Sequence, residues 1–162
     1  MVHYKGGLGA SALDARSDAG IAGPLAGRCG VRPGKLKASP ESRKRLKKVV
    51  AIAESLPEAE AVVQGRKGEH RLLRAGKKSF AYYCFDHHGD GKIALWCKST
   101  PGEQARLVAE GPRRFFVPPY VGPKGWLGVR LDRGSVDWAE VAYLLRTAYR
   151  LSAPRRLVAR LE

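Results

Sequence analysis

The segment from Val117 to Asp132, VPPYVGPKGWLGVRLD, restricts the possible folds of this chain more than any other. Each proline drives the residue before it toward extended geometry, so Val117-Pro118-Pro119 cannot be helical. Pro119 also lacks a backbone donor, which confines this piece to a sheet edge or a loop. Gly122-Pro123-Lys124-Gly125 reads as a turn. From Trp126 the pattern alternates with period two: Leu127, Val129 and Leu131 share one face, and Trp126, Gly128, Arg130 and Asp132 share the other. This is the pattern of a half-buried sheet strand with an apolar face and a face of arginine and tryptophan. A fold for this chain must therefore contain an antiparallel sheet entered through a proline-rich loop.

The flanking segments supply helices and more strands. Ser39-Pro40-Glu41 is a helix start: a hydroxyl cap, proline at the first helical position, and an acid facing the helix dipole. The helix is expected to run to about Ser55, with Leu46, Val49, Val50, Ala53 and Leu56 as its buried stripe. Short strands are expected over 60–64, 69–74, 77–85 and 92–98. Asp86-His87-His88-Gly89-Asp90-Gly91 joins the last two as a hairpin loop. A turn centred between His88 and Gly89 would pair Phe80 with Cys97, Tyr82 with Leu95 and Cys84 with Ile93. Thr100 caps a second helix that Gly111-Pro112 stops. Ser135 or Asp137 caps a long last helix with Val141, Leu144, Leu145 and Ala148 inward, Trp138 at its start and Tyr149 near its end. Arg155 to Leu161 adds one or two helical turns. Helix, strands, helix, strands, helix is an α+β order, an antiparallel sheet with helices packed on one face in two layers. Residues 1–38, rich in Gly, Ala and Ser, read as a disordered or linker-like extension, and 39–162 as one domain.

Charge narrows the partner. The chain holds 30 Lys and Arg against 15 Asp and Glu, net +15. That balance points to a polyanion, DNA or RNA, rather than to a membrane surface. Abundant Arg, Ala, Gly and Pro also accompany GC-rich coding, so an evenly scattered positive charge is the competing explanation. No apolar run approaches the roughly 20 residues needed to span a bilayer, and no signal peptide is expected at the N-terminus. Three cysteines at irregular spacing make no disulfide framework, and a reducing cytoplasm is the simplest compartment. Cys84 and Cys97 are expected on one face but too far apart along the ladder to bridge. His87 and His88 lack the spacing that would aim them at a common metal ion, so no metal and no cofactor is expected.

Several of these residues together resemble a known family. They are Ala53-Glu54-Ser55-Leu56-Pro57, Gly76-Lys77-Lys78-Ser79-Phe80-Ala81, and Phe115-Phe116-Val117-Pro118-Pro119-Tyr120-Val121-Gly122. Gly125-Trp126-Leu127-Gly128-Val129-Arg130-Leu131-Asp132, Asp137-Trp138-Ala139-Glu140-Val141 and Ala148-Tyr149-Arg150 complete the set. Over about residues 41–160 the chain resembles the YjbR/MmcQ-like family of DNA-binding proteins. The resemblance implies a CyaY/frataxin-like fold, an antiparallel sheet covered on one face by helices, and DNA contact through a double-wing arrangement of strands and loops. Where some members have serine followed by tyrosine in the last helix, this chain has Ala148, so no hydroxyl role is expected there. Frataxin-like iron binding needs an acidic helix face, and the first helix here is basic.

The expected function is DNA binding with weak sequence selectivity by a monomer that is not an enzyme. Arg113, Arg114, Lys124 and Arg130 around the Pro-Pro-Tyr loop are the expected phosphate contacts, with Tyr120 or Trp126 available to stack on an unpaired base. Arg43, Lys44 and Lys47 on the first helix form a second candidate set. Two alternatives stand beside this. One is a small-ligand protein or enzyme using a pocket near Tyr120, Trp126 and Tyr149; the other is an interaction module presenting the aromatic loop to a protein.

Overall fold

The computed structural model describes residues 35–65 and 69–161, so the expected extension over 1–38 lies outside the described residues except for 35–38. Six antiparallel strands form one sheet: β1 (Ala59–Gln64), β2 (His70–Ala75), β3 (Lys78–Phe85), β4 (Ile93–Lys98), β5 (Phe115–Phe116) and β6 (Trp126–Arg130). Their order is β1-β2-β3-β4-β6-β5. Two long helices, α1 (Pro40–Glu54) and α3 (Trp138–Ser152), pack side by side against one face. A shorter helix, α2 (Pro101–Glu110), packs at the β5–β6 end, and α4 (Arg155–Val158) follows α3. This is the α+β sheet with a helical layer that the pattern implied.

The helix starts form for the local reasons written in the sequence. Ser39 Oγ accepts from the Ser42 amide at 3.1 Å, and Ser42 Oγ accepts from the Ser39 amide at 2.9 Å, a reciprocal capping box. Asp137 accepts from the amides of Ala139 and Glu140 at the start of α3, and Thr100 from that of Glu103 at the start of α2. In α1 the buried stripe is Ser42, Val49, Ala53 and then Leu56, with Leu46 partly covered. Val50, expected inward, sits at the partly exposed flank, because Ser42 and Val49 fix the inner row seven residues apart. The α3 stripe is as expected, with Val141, Leu144, Leu145 and Ala148 all buried. The Tyr149 hydroxyl donates to the Pro57 carbonyl at 2.6 Å, tying the end of α3 to the end of α1.

The sheet departs from expectation at β3. Leu73 pairs with Ala81 and Arg74 with Ser79, which leaves Phe80 as an extra residue, a bulge. A bulge re-aims the side chains that follow it. Phe80 and Ala81 therefore both enter the main core, followed by Tyr83 and Phe85, while Tyr82 and Cys84 turn to the opposite face. The hairpin register is one residue from that expected: Ala81 pairs with Cys97, Tyr83 with Leu95 and Phe85 with Ile93. The loop sets this offset. The Asp86 amide donates to the Lys92 carbonyl at 2.7 Å and Asp86 Oδ1 accepts from the Gly91 amide at 2.9 Å, so the turn centres on Gly89. Cys84 and Cys97 consequently lie on opposite faces as free, buried thiols. Burial pushes each thiol up to about 12, so both stay protonated.

Leu127, Val129 and Leu131 enter the main core with α1 and α3, as the alternation required. The opposite, open face of the sheet carries a second, smaller cluster: Cys84, Ala94, Trp96 and Trp126, with Tyr82, Phe116 and Val121 packed against it. The sheet thus has a core on one side and an aromatic layer on the other.

Candidate nucleic-acid interface

The densest run of positive charge is 35–48, KLKASPESRKRLKK, with seven basic side chains and one acid. The acid, Glu41, is engaged by Arg45 at 3.3 Å. Lys48 places its Nζ 4.7 Å from the centre of the Trp138 ring. Lys35, Lys37, Arg43, Lys44 and Lys47 are exposed, and among the described residues none of them has a carboxylate partner. Arg43 and Lys47 are four positions apart and Lys44 and Lys47 three, so they share one side of α1. Like charges at that spacing repel, and the basic start of α1 also opposes the helix dipole. A polyanion laid along this ridge would relieve both costs. Lys35 and Lys37 are held beside it because Leu36 packs on the core and donates its amide to Asp86 Oδ2 at 3.0 Å.

The proline-rich loop disposes its charges differently. Arg130 makes a two-pronged bond to Asp132, Nε to Oδ1 at 2.8 Å and Nη2 to Oδ2 at 2.6 Å, and both side chains are largely enclosed. Burial works against ionisation of Asp132, but the Arg130 bond and charge outweigh it and hold the carboxyl below its usual range. Arg114 is bound to Glu140 of α3 and lies over the Phe115 ring. Trp126 is buried, with the Tyr82 ring 5.3 Å away. The loop therefore leaves Arg113, Tyr120 and Lys124 exposed, the two cations without a carboxylate partner among the described residues. Arg114 turns toward the helical layer and Arg130 lies on the open face, so the loop arginines do not converge. A shared pocket of Tyr120, Trp126 and Tyr149 is not formed either, because Tyr149 lies in the main core on the helical side.

A cleft of about 500 Å³ opens on the aromatic layer, lined among others by Gln64, His70, Tyr82, His87, Trp96 and Tyr120. Apart from Tyr120, none of these was singled out as a binding residue from the sequence. The His87 ring stands edge-on to Trp96, 4.8 Å between centres, and 4.2 Å from the His88 ring. His70 Nδ1 accepts from the Phe85 amide at 3.2 Å, which places the His70 proton on Nε2. His87 Nε2 is enclosed and has no hydrogen-bond partner among the described residues. Cross-strand neighbours Tyr82 and Trp96 were the available sequence signal, and they meet only in the register that the bulge and loop impose.

The cleft makes stability depend on pH in a defined direction. Desolvation first, then the nearby His88 and His70, hold the His87 imidazole below its ordinary value of 6.5, with Asp90 opposing. The unfolded chain takes up this proton as pH falls through 6.5, while the folded chain refuses it. The urea midpoint is therefore expected to be highest above pH 6.5 and to fall as pH drops below it, down to the folded value. His87→Asn is expected to flatten that part of the curve. An unchanged slope in the variant would assign the dependence elsewhere.

Among the described residues no group of three or more His, Cys, Asp or Glu is placed to hold a metal ion. No described helix is long and apolar enough to cross a membrane.

The YjbR family model matches residues 54–151. Curated relatives include two error-prone DNA polymerases. One, from Pseudomonas savastanoi pv. phaseolicola, is 34% identical over 93 residues, covering 56% of this chain and 8% of the polymerase. The other, from Pseudomonas syringae pv. tomato, is 31% identical over 117 residues, 66% of this chain and 10% of the polymerase. The chain thus spans a tenth or less of these relatives. The crystal structure of a Deinococcus radiodurans protein with a DUF419 domain superposes with a TM-score of 0.55 at 20% identity, covering 65% of this chain and 76% of that one.

Proposed function

Because this chain belongs to the YjbR family and presents an unpaired basic ridge on α1, we propose that it binds DNA, gripping the phosphate backbone through Lys35, Lys37, Arg43, Lys44 and Lys47. The observation that carries the reading is that these five exposed cations have no carboxylate among the described residues to neutralise them. Their contacts would be to phosphate, which positions a protein on nucleic acid without reading its sequence, so weak selectivity is part of the proposal. Arg113 and Lys124 are further cations without a carboxylate partner among the described residues, whereas Arg114 and Arg130 are already engaged by Glu140 and Asp132. The similarity to a small part of two proteins named error-prone DNA polymerase supports a DNA partner. The role is one of binding by a cytoplasmic monomer, not of catalysis.

The test is a titration of a labelled short duplex, read by fluorescence anisotropy at several salt concentrations. Five phosphate contacts predict micromolar or tighter binding at low salt and a slope of log K against log salt between about −4 and −5. A duplex of scrambled sequence is expected to bind nearly as well, and a matching RNA duplex separates DNA from a general polyanion partner. Absence of binding at low salt, or a slope near zero, overturns the reading.

A further inference from the structure

We infer that the aromatic cleft on the open face of the sheet receives an unpaired base of single-stranded nucleic acid, stacked between Tyr82 and Tyr120, with the largely buried Trp96 in its lining, and met at its edge by His70, His87 and Gln64. This deepens the nucleic-acid reading and takes its occupant class from it. It uses none of the α1 cations, which lie on the helical side of the sheet.

Three observations fit a flat, hydrogen-bonding ring, and Arg71, which also lines the cleft, suits the phosphate that comes with it. The first is the walls: Tyr82 and Trp96 are cross-strand partners, and Tyr120 stands at the rim. Aromatic faces accept any base, which matches the weak selectivity proposed above. The second is the edge. The Phe85 amide fixes His70 with its Nε2 proton free to donate. His87 Nε2 is shut away from solvent with no partner among the described residues, and an enclosed polar atom without a partner is costly unless a ligand or water meets it. A base edge offers both donors and acceptors to such groups. The third is the rim. Tyr120 is 76% exposed and sits at φ 64°, a left-handed conformation unusual for any residue but glycine. Hydrogen bonds from the Gly122 amide to the Pro118 carbonyl and from the Val121 amide to the Pro119 carbonyl hold that turn. Strain of this kind, sustained by the surrounding loop, keeps a large ring in solvent beside the cleft. A volume of about 500 Å³ falls within the range of small-ligand sites and is far too small for a duplex.

The experiment uses 2-aminopurine, whose fluorescence falls on stacking, as one base of a short single strand, as the free riboside, and paired within a duplex. The full chain is expected to quench the single strand and, more weakly, the riboside. Tyr120→Gly keeps the backbone conformation and removes the ring, and His87→Leu removes the enclosed nitrogen. Each is expected to weaken single-strand quenching by about tenfold or more. His87→Leu should leave duplex anisotropy unchanged. Its urea midpoint should equal or exceed that of the wild type, which separates lost binding from lost fold. Quenching that neither variant alters overturns the inference, as does quenching of the riboside without the single strand. Failure of duplex binding alone, with variant-sensitive quenching intact, counts against the α1 ridge and leaves the cleft assigned.

Discussion

Replacing Arg43, Lys44 and Lys47 together by glutamine is expected to weaken duplex DNA binding by about 10²- to 10³-fold near 0.1 M salt, and to reduce the salt slope by about 3. All three side chains are exposed and lack ion-pair partners among the described residues, so the substitutions remove no internal bond. Each alone should move stability by no more than about 0.5 kcal/mol. Relief of like-charge repulsion along α1 would if anything raise it. A matched control replaces Arg106, Arg156 and Arg160, which are already engaged by Glu103, Glu110 and Glu58. That variant carries the same change in net charge and is expected to lose far less affinity. If the two variants weaken binding equally, net charge rather than the ridge governs association.

Gly125→Val, in the loop that carries Tyr120, is expected to destabilise the fold by between about 2 and 6 kcal/mol. Gly125 lies at φ 78°, and a Cβ there would stand 2.9 Å from the Ser99 carbonyl oxygen. Its own carbonyl accepts from the Ser99 amide at 2.8 Å, so the loop cannot move away without breaking that bond. A β-branched residue in this conformation adds backbone strain to the overlap. Gly76→Ala is the comparison: Gly76 is also left-handed, at φ 58°, but nothing lies within 4 Å of an added Cβ. It is expected to cost about 1 kcal/mol. Urea unfolding of both variants measures the difference, and equal midpoints would show that the Ser99 contact has no energetic weight.

Features with a local cause were legible in the sequence. Ser39, Thr100 and Asp137 announce helix starts because each carries its own acceptor; Ser39 and Thr100 cap as expected, and of the two candidates Ser135 and Asp137 it is Asp137 that caps. The alternation from Trp126 to Asp132 assigns Leu127, Val129 and Leu131 to the core, but the strand is not half-buried as expected, because Trp126 and Gly128 on its other face are covered by the aromatic layer. The β3 segment failed for the opposite reason. Phe80, Tyr82 and Cys84 are as apolar as Ala81, Tyr83 and Phe85, so the pattern cannot choose a register, and the bulge at Phe80 decides it through packing. The aromatic cleft depends on that register and is equally absent from the pattern. Of the loop arginines, the pairing of Arg130 with Asp132 was in principle readable, since residues two apart on a strand share a face. The pairing of Arg114 with Glu140 bridges 26 residues and needs the tertiary fold. Sequence alone could not rank the α1 set above the loop set, because neutralisation by distant acids is a property of the folded surface.

The most direct test of the basic ridge is a map of backbone amide shifts in the full chain as a short DNA duplex is added. The largest changes are predicted over residues 35–48, with small ones around Arg114 and Arg130, whose charges are internally matched. Changes centred on Arg114 and Arg130 with 35–48 silent, or shifts spread evenly over the exposed cations, would contradict the account.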